Sequence, residues 1–246
     1  LAAGGNLWRR SFFEDLLTET SLISPCYQYR HQRSEENSRD YGLRVANELE
    51  KEIIKLGPDN VMAFIAETVV GATAGALTPV EGYFKRIREI CNQYDVLLIL
   101  DEVMCGMART GSLFACDNEG VIPDIITIAK GLGAGYQPIA AMLCQNFIYE
   151  AIAKGTGFFQ HGHTYLGHPV ACAGSLAVLN KLINENYPEQ VNKKGEILQK
   201  KLELIIGQHE FVGDIRGRGL FRGIEIVKDR NTKNPFQKNL NIAGKI

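Results

Sequence analysis

Val96-Leu97-Leu98-Ile99-Leu100-Asp101-Glu102 is an unbroken apolar run that ends in two acids. A short run without polar residues is typical of a strand in a parallel sheet, covered by helices on both faces. Amphipathic patterns at helical spacing precede this run and recur after it, as they do in βαβ units. We therefore predict an α/β fold around a mainly parallel sheet.

Segments on either side of this run repeat the alternation of strand and helix patterns. We expect strands over residues 61–66, 96–100, 124–129, 139–143 and 220–227, and helices over residues 40–56, 80–94, 167–186 and 189–207. Residues 1–38 read as irregular chain. Near residue 184 the character changes to a long charged helix and then a strand. We thus predict a large domain over residues 1–183 and the start of a smaller α+β domain over residues 184–246.

Composition excludes several classes of function. The chain has 246 residues, a net charge of -1 and 45% hydrophobic residues, so no basic excess points to nucleic acid. Its central apolar run is far too short to span a bilayer, so we expect no membrane partner. The six cysteines form no CxxC pair, and no Cys/His grouping has ligand spacing. We therefore expect reduced thiols in a cytoplasmic protein and no metal site.

Three charged residues fall at predicted strand ends: Glu67, Asp101 and Lys130. Open parallel sheets bind ligands at these carboxyl ends. A buried acid and a buried amine are costly without partners. Pyridoxal phosphate supplies a partner for each, because its aldehyde condenses with a lysine and its protonated pyridine nitrogen pairs with a carboxylate. Taken singly, such an Asp is more often a cap and such a Lys is usually solvated.

Four motifs in order resemble those of one enzyme family. They read ETVVGATAGALTP at 67–79, LILDEVMCGMARTG at 98–111, PDIITIAKGLGAGYQPI at 123–139 and HGHTYLGHP at 161–169. This set is similar to the class III aminotransferases, and the resemblance extends over most of residues 60–227. It implies the fold-type I architecture of pyridoxal-phosphate enzymes, working as a homodimer or a higher homo-oligomer.

The resemblance also implies roles for individual residues. Lys130 would be the catalytic residue that carries the cofactor as a Schiff base and moves the substrate proton. Asp101 would pair with the pyridine nitrogen, and Val103 would pack on one face of the ring. Thr164 would bind the cofactor phosphate, in this family usually that of the neighbouring subunit.

Two further positions are assigned to the cofactor site by the same resemblance. Glu67 opens the stretch similar to the family's Glu–Gly–Gly–Pro motif, and Met104 stands where many relatives have Gln beside the ring hydroxyl. The family's phosphate-cup loop, ring-stacking aromatic and late substrate-binding arginine have no counterpart within residues 1–246. The chain therefore resembles a fragment that lacks N- and C-terminal parts.

The implied function is a transaminase that moves an amino group between an amine or amino acid and a 2-oxo acid. A different reaction on the same scaffold, such as that of an aminomutase, a racemase or a decarboxylase, needs the same Asp101 and Lys130 pair. A catalytically incompetent fragment is the third alternative. A generic nucleotide-binding domain is disfavoured, because no glycine fingerprint follows a first strand and no Walker lysine motif occurs.

Other residues receive more ordinary interpretations. We interpret Arg216, Arg218 and Arg222 as surface or domain-packing residues, and Cys105 as a packing residue without a neighbouring base. Tyr27, Tyr29 and Arg30 are candidates to line a substrate entrance.

Overall fold

The computed structural model describes residues 1–245, in which a four-stranded sheet has the order β1-β2-β3-β4. Strands β1 (Ala63–Glu67), β2 (Leu97–Asp101) and β3 (Ile125–Ile128) run parallel. Strand β4 (Ala141–Cys144) pairs antiparallel with β3 and lies at the edge. This arrangement confirms the α/β class and the mainly parallel sheet.

Helices fill the connections between these strands. Those of the described residues are α1 (Leu7–Arg10), α2 (Gln28–His31), α3 (Ser38–Leu56), α4 (Tyr83–Gln93), α5 (Asn146–Lys154), α6 (Pro169–Asn184) and α7 (Tyr187–Ile206). The sequence predicted α3, α4, α6 and α7 to within a few residues but missed α5 and the one-turn helices α1 and α2, which lie in the stretch interpreted as irregular. None of the helices in residues 1–245 combines the length and the apolar character that crossing a bilayer requires.

The main core lies between the sheet and the pair α3 and α4. Phe84 and Ile87 of α4 are buried against Leu98 and Leu100 of β2. Side chains alternate across a strand, so the other residues of β2 point to the opposite face. That face is only half-buried at Leu97 and Ile99. Our expectation of burial on both faces is therefore wrong, because in this chain helices cover one face of β2 closely and the other incompletely.

A separate hairpin follows α7. It consists of β5 (Val212–Arg218) and β6 (Phe221–Ile226), which pair antiparallel in a sheet of their own. The sequence predicted β6 and missed β5. Arg218 forms an ion pair of 2.8 Å with Glu119, which joins the hairpin to the chain before β3. The domain division at residue 184 stays a prediction.

Candidate active site

The ends of three adjacent strands bring the predicted charged residues to one edge of the sheet. Glu67 pairs in register with Asp101, and Asp101 pairs with Thr127 of β3. Lys130 follows β3 after one intervening residue. Burial raises the pKa of Glu67, the charge of Asp101 adds to that rise, and the charge of Lys130 opposes it. The three side chains therefore share one electrostatic environment.

Asp101 is half-buried, with one of its carboxylate oxygens fixed by the protein. The backbone N–H of Val103 donates to Oδ1 at 2.9 Å. Within residues 1–245 the other oxygen, Oδ2, accepts no hydrogen bond, and Asp101 forms no ion pair with Lys130. A carboxylate oriented in this way has an oxygen available for an N–H donor of a ligand.

Glu102 is the fully buried acid of this region, with no exposed surface. Its carboxylate accepts hydrogen bonds from Thr68 Oγ1 at 2.9 Å and from the N–H groups of Ala115 and Cys116 at 2.5 and 2.7 Å. The sequence placed the costly buried charge at Asp101. The structure corrects this by one residue, because these three donors compensate Glu102. Glu102 thereby ties the ends of β1 and β2 to the chain before β3.

Lys130 lies on a tight turn whose backbone is unusual. Its φ is 44°, in the left-handed region that residues other than glycine rarely adopt. The turn is anchored by the buried side chain of Leu132, whose carbonyl accepts a hydrogen bond from Ser175 Oγ at 3.1 Å. Such backbone strain persists where the surroundings enforce it, often at functional sites. Ser175 was missed; the available signal was one buried hydroxyl in the apolar helix α6.

The amine of Lys130 is exposed in this chain. We expected a buried amine at this position, and that expectation is wrong for residues 1–245. The reason is the lack of cover: β4 and the chain that leads to α6 lie beside the turn with most of their residues exposed. Any burial of Lys130 has to come from a surface outside these residues.

Gly71 joins Glu67 to Met104. The N–H of Gly71 donates to Glu67 Oε2 at 2.7 Å. The thioether of Met104 packs directly on the Gly71 backbone, where a Cβ atom would overlap Met104 Sδ. The sequence-predicted Glu67 and Met104 are therefore held by one glycine, which no alanine could replace without displacing one of them.

Thr164 lies in an exposed segment between α5 and α6. Among the described residues, no hydrogen bond joins Thr164 to Glu67, Asp101 or Lys130. Its phosphate-binding role stays a prediction that needs a second surface. The neighbouring His161 and His163 contact each other edge to face and are exposed. Over residues 1–245 no group of His, Cys, Asp and Glu is arranged to hold a metal ion.

The remaining candidates are packing groups. Tyr27 and Arg30 both donate to Glu225 of β6, so they join the N-terminal segment to the hairpin. Arg216 and Arg222 are tied to backbone carbonyls, which fits their interpretation as surface or packing residues. Cys105 is buried, and burial raises the pKa of its thiol to about 12, as a packing residue requires.

The donor set at the strand ends suits pyridoxal phosphate. Asp101 offers an oxygen that no protein group uses, and Lys130 offers a primary amine on the next strand end. The two do not pair with each other within the described chain. This arrangement fits a ligand with a cationic nitrogen at one end and an aldehyde at the other.

Comparison with known proteins places this geometry in a family. The family model described as aminotransferase class-III matches residues 9–245. An aminotransferase of Gibberella zeae is 44% identical over all of this chain and 48% of its own length. A diaminobutyrate–2-oxoglutarate transaminase of Halomonas elongata is 35% identical over all of this chain and 54% of its own.

Solved structures show the same likeness in three dimensions. The omega transaminase from Pseudomonas jessenii in complex with PMP superposes with a TM-score of 0.90 at 36% identity, covering 96% of this chain and 52% of that one. The chain therefore spans about half the length of the curated relatives and solved structures that it matches.

Proposed function

The chain belongs to the class III aminotransferase family, and we propose that it forms the cofactor-binding part of a pyridoxal-phosphate-dependent transaminase. Membership in this family implies dependence on pyridoxal phosphate, and one similar structure holds PMP. The proposed reaction moves an amino group from an amine or amino acid to a 2-oxo acid. The names of relatives such as the diaminobutyrate–2-oxoglutarate transaminase support both substrate classes.

One observation carries this proposal: Asp101 and Lys130 come from the ends of neighbouring strands and leave each other unpaired. Neither side chain has an ion-pair partner among the described residues. Here Asp101 instead keeps one oxygen fixed by Val103 and one oxygen unused. That geometry suits a ligand bound between the two side chains.

When bound, pyridoxal phosphate supplies an aldehyde that primary amines attack and a cationic ring that stores the electron pair left by the departing proton. In the proposed mechanism, Asp101 Oδ2 would accept a hydrogen bond from the ring nitrogen and would keep that nitrogen protonated. Lys130 Nζ would hold the cofactor through its aldehyde and would take and return the substrate proton. Val103 and Met104 follow Asp101 in the chain and would cover one side of the ring.

We also propose that the working unit is a homodimer or a higher homo-oligomer. The segment with Thr164 exposes large apolar side chains, among them Tyr165 at 80% and Leu166 at 75%. Contiguous exposed apolar surface of this kind marks an interaction site. A second subunit placed there would bury this segment, and Thr164 would then serve the site of that subunit. The six cysteines, all within the described residues, are free thiols, in keeping with a proposed cytoplasmic location.

Reductive trapping tests the proposed function. The purified protein is mixed with pyridoxal phosphate, treated with borohydride and mapped by peptide mass spectrometry. We expect the pyridoxyl group on Lys130 and its loss in Lys130→Ala. Lys154→Ala is the matched control, because Lys154 is an exposed lysine at the end of α5. Label on other lysines at the same yield would overturn the proposal.

A second measurement separates transamination from the other reactions on this scaffold. An amino donor is added without any 2-oxo acid, and the cofactor is followed by absorbance. A transaminase converts its cofactor to the amino form in this half-reaction. An enzyme that turns over the amine and leaves the aldehyde form unchanged would be a racemase, an aminomutase or a decarboxylase.

A further inference from the structure

A short glycine loop, residues 71–76, lies between the site and the C-terminal hairpin. It is closed by a bridge between Val70 and Leu77 with hydrogen bonds of 2.9 and 3.0 Å. Inside it, the N–H of Gly75 donates to the carbonyl of Gly71 at 2.8 Å. Gly71 in turn holds the carboxylate of Glu67. The position of this loop therefore sets the position of Glu67.

Arg216 of β5 forms hydrogen bonds to the side of this loop that faces the hairpin. Its Nε donates to the carbonyl of Gly75 at 2.8 Å and its Nη2 to the carbonyl of Ala74 at 2.6 Å. The planar guanidinium thus spans two successive carbonyls, a geometry that a lysine ammonium cannot reproduce. These bonds join residues about 140 positions apart in the chain.

Arg216 is itself held rigidly. Its Nη1 donates to Glu225 at 2.7 Å and to Asp214 at 3.2 Å, and its guanidinium lies 5.0 Å from the ring centre of Tyr27. Only 10% of its side chain is exposed. Because these contacts hold the guanidinium in place, a shift of the hairpin would also shift the loop.

A second contact brings the hairpin against the loop without involving charge. A Cβ atom at Gly223 of β6 would overlap the carbonyl oxygen of Gly75 and lie 3.3 Å from the Cβ of Ala76. Glycine at this position therefore lets two backbones approach each other. The loop therefore contacts the hairpin at Gly223 and is hydrogen-bonded to it by Arg216.

We propose that Arg216 is a positioning residue, which fixes the glycine loop and through Gly71 sets Glu67 and Met104 at the cofactor site. This inference rests on the proposed function for its last step only. A Cβ at Gly71 would lie 3.1 Å from Glu67 Oε2 as well as overlap Met104 Sδ, so a shift of the loop displaces both side chains. Arg216, which the sequence analysis interpreted as a packing residue, thereby affects the positions of Glu67 and Met104.

Amide hydrogen exchange of the protein without cofactor tests whether Arg216 holds the glycine loop. In Arg216→Lys we expect the amides of Gly71, Gly75 and Leu77 to exchange about tenfold faster or more, because two hydrogen bonds to the loop are lost. Arg222→Lys is the matched control. Arg222 lies on the same hairpin and donates to Gln199 at 2.7 Å and Gly217 at 2.9 Å, away from the loop. Equal exchange in both variants would overturn the inference.

A variant that leaves Arg216 itself unchanged keeps the test decisive should Arg216→Lys fail to fold. Gly223→Ala pushes on the carbonyl of Gly75 and leaves Arg216 in place. We expect the same amides to exchange faster, while those of β2 stay unchanged. Unchanged exchange in residues 71–77 of this variant would contradict direct contact between the hairpin and the loop.

Titration with pyridoxal phosphate tests the step toward the site. We expect Arg216→Lys to bind the cofactor about threefold to tenfold more weakly and Arg222→Lys to match wild type. A loosened loop with unaltered cofactor affinity would show that Arg216 does not position the site. Wild-type protein that binds no cofactor and traps none on Lys130 would refute the proposed function, while hydrogen exchange still decides the grip of Arg216.

Discussion

Residues 26–128 and residues 139–186 have similar apolar content but differ in cover. In the first stretch, the covered region, α3 and α4 seal one face of the sheet around Phe84, Ile87 and Leu98. In the second, the open region, which the structure describes in full, only Ala171 and Ser175 are buried. The covered region builds the Asp101 end of the site, and the turn with Lys130 begins the open side. Apolar residues alone do not make a core; they need a second layer to pack against.

The cysteines give the sharpest contrast between the two regions. The buried thiols are those of Cys26, Cys91, Cys105 and Cys116, and the exposed thiols are those of Cys144 and Cys172. Burial raises the pKa of the Cys26 and Cys91 thiols to about 11, and only the thiolate reacts. We expect two thiols of the folded chain to react with a thiol-specific dye, and the other four at least about a hundredfold more slowly. A third fast thiol would break the comparison.

Truncating a phenylalanine in each region should cost very different amounts of stability. Phe84→Ala removes a side chain that is 2% exposed and should lower the free energy of unfolding by about 3–5 kcal/mol. Phe159→Ala removes one that is 53% exposed in a single chain and, at protein concentrations at which the chain is monomeric, should change it by no more than about 0.5 kcal/mol. Urea unfolding measures both. Similar losses would mean that the open region is packed after all.

Replacing a buried and an exposed glutamate should also have different effects on stability. Glu102→Gln replaces a carboxylate that serves three donors and should lower the free energy of unfolding by about 2–4 kcal/mol. Glu185→Gln removes an exposed carboxylate paired with Lys181 and should cost about 0.5 kcal/mol or less. Should Glu102→Gln prove as mild as its control, the frame behind Asp101 is held by other contacts.

The smallest effect is a pH dependence where the hairpin meets the covered region. Burial acts to raise the pKa of Glu225, but hydrogen bonds from Tyr27, Arg30 and Arg216 outweigh it and leave that pKa below its ordinary value. The resulting stability is present above the ordinary carboxyl pKa and is lost as the pH falls through the lowered one.

Unfolding measured between about pH 6 and pH 3 checks this sign. We expect wild type to exceed Glu225→Gln by about 1–2 kcal/mol at the upper pH, with the gap closing as the pH falls. Glu196→Gln, on the exposed side of α7, should keep the slope of wild type. A gap that widens on acidification would contradict the assigned direction.

The same difference between the covered and the open region explains which helices and strands the sequence predicts. Helices α3, α4, α6 and α7 were found because their apolar residues repeat at helical spacing, and strand β2 was found because its apolar run is unbroken. Helix α5 was missed: it has no acid in its first turn, no side-chain cap and no buried residue. Strand β5 was missed because Gly213 and Gly217 read as loop, and its pairing with β6 is what makes it a strand.

The site shows a similar limit. The order of strand ends follows from the sequence, so Glu67, Asp101 and Lys130 could be placed on one edge. The sequence could not show which acid is buried, because the hydrogen-bond partners of Glu102 come from Thr68 and from backbone far along the chain. The exposure of Lys130 also escaped prediction, since it depends on surfaces that residues 1–245 do not provide. Roles for Val103, Met104 and Thr164 stay predictions.

Nitrogen NMR of the protein loaded with ring-labelled pyridoxal phosphate tests most directly whether Asp101 and Lys130 hold opposite ends of one cofactor. The ring nitrogen should be protonated in wild type and unprotonated in Asp101→Asn, while borohydride traps the cofactor on Lys130 in both proteins. An unprotonated nitrogen in wild type, or a protonated one that persists in Asp101→Asn, would contradict the pairing.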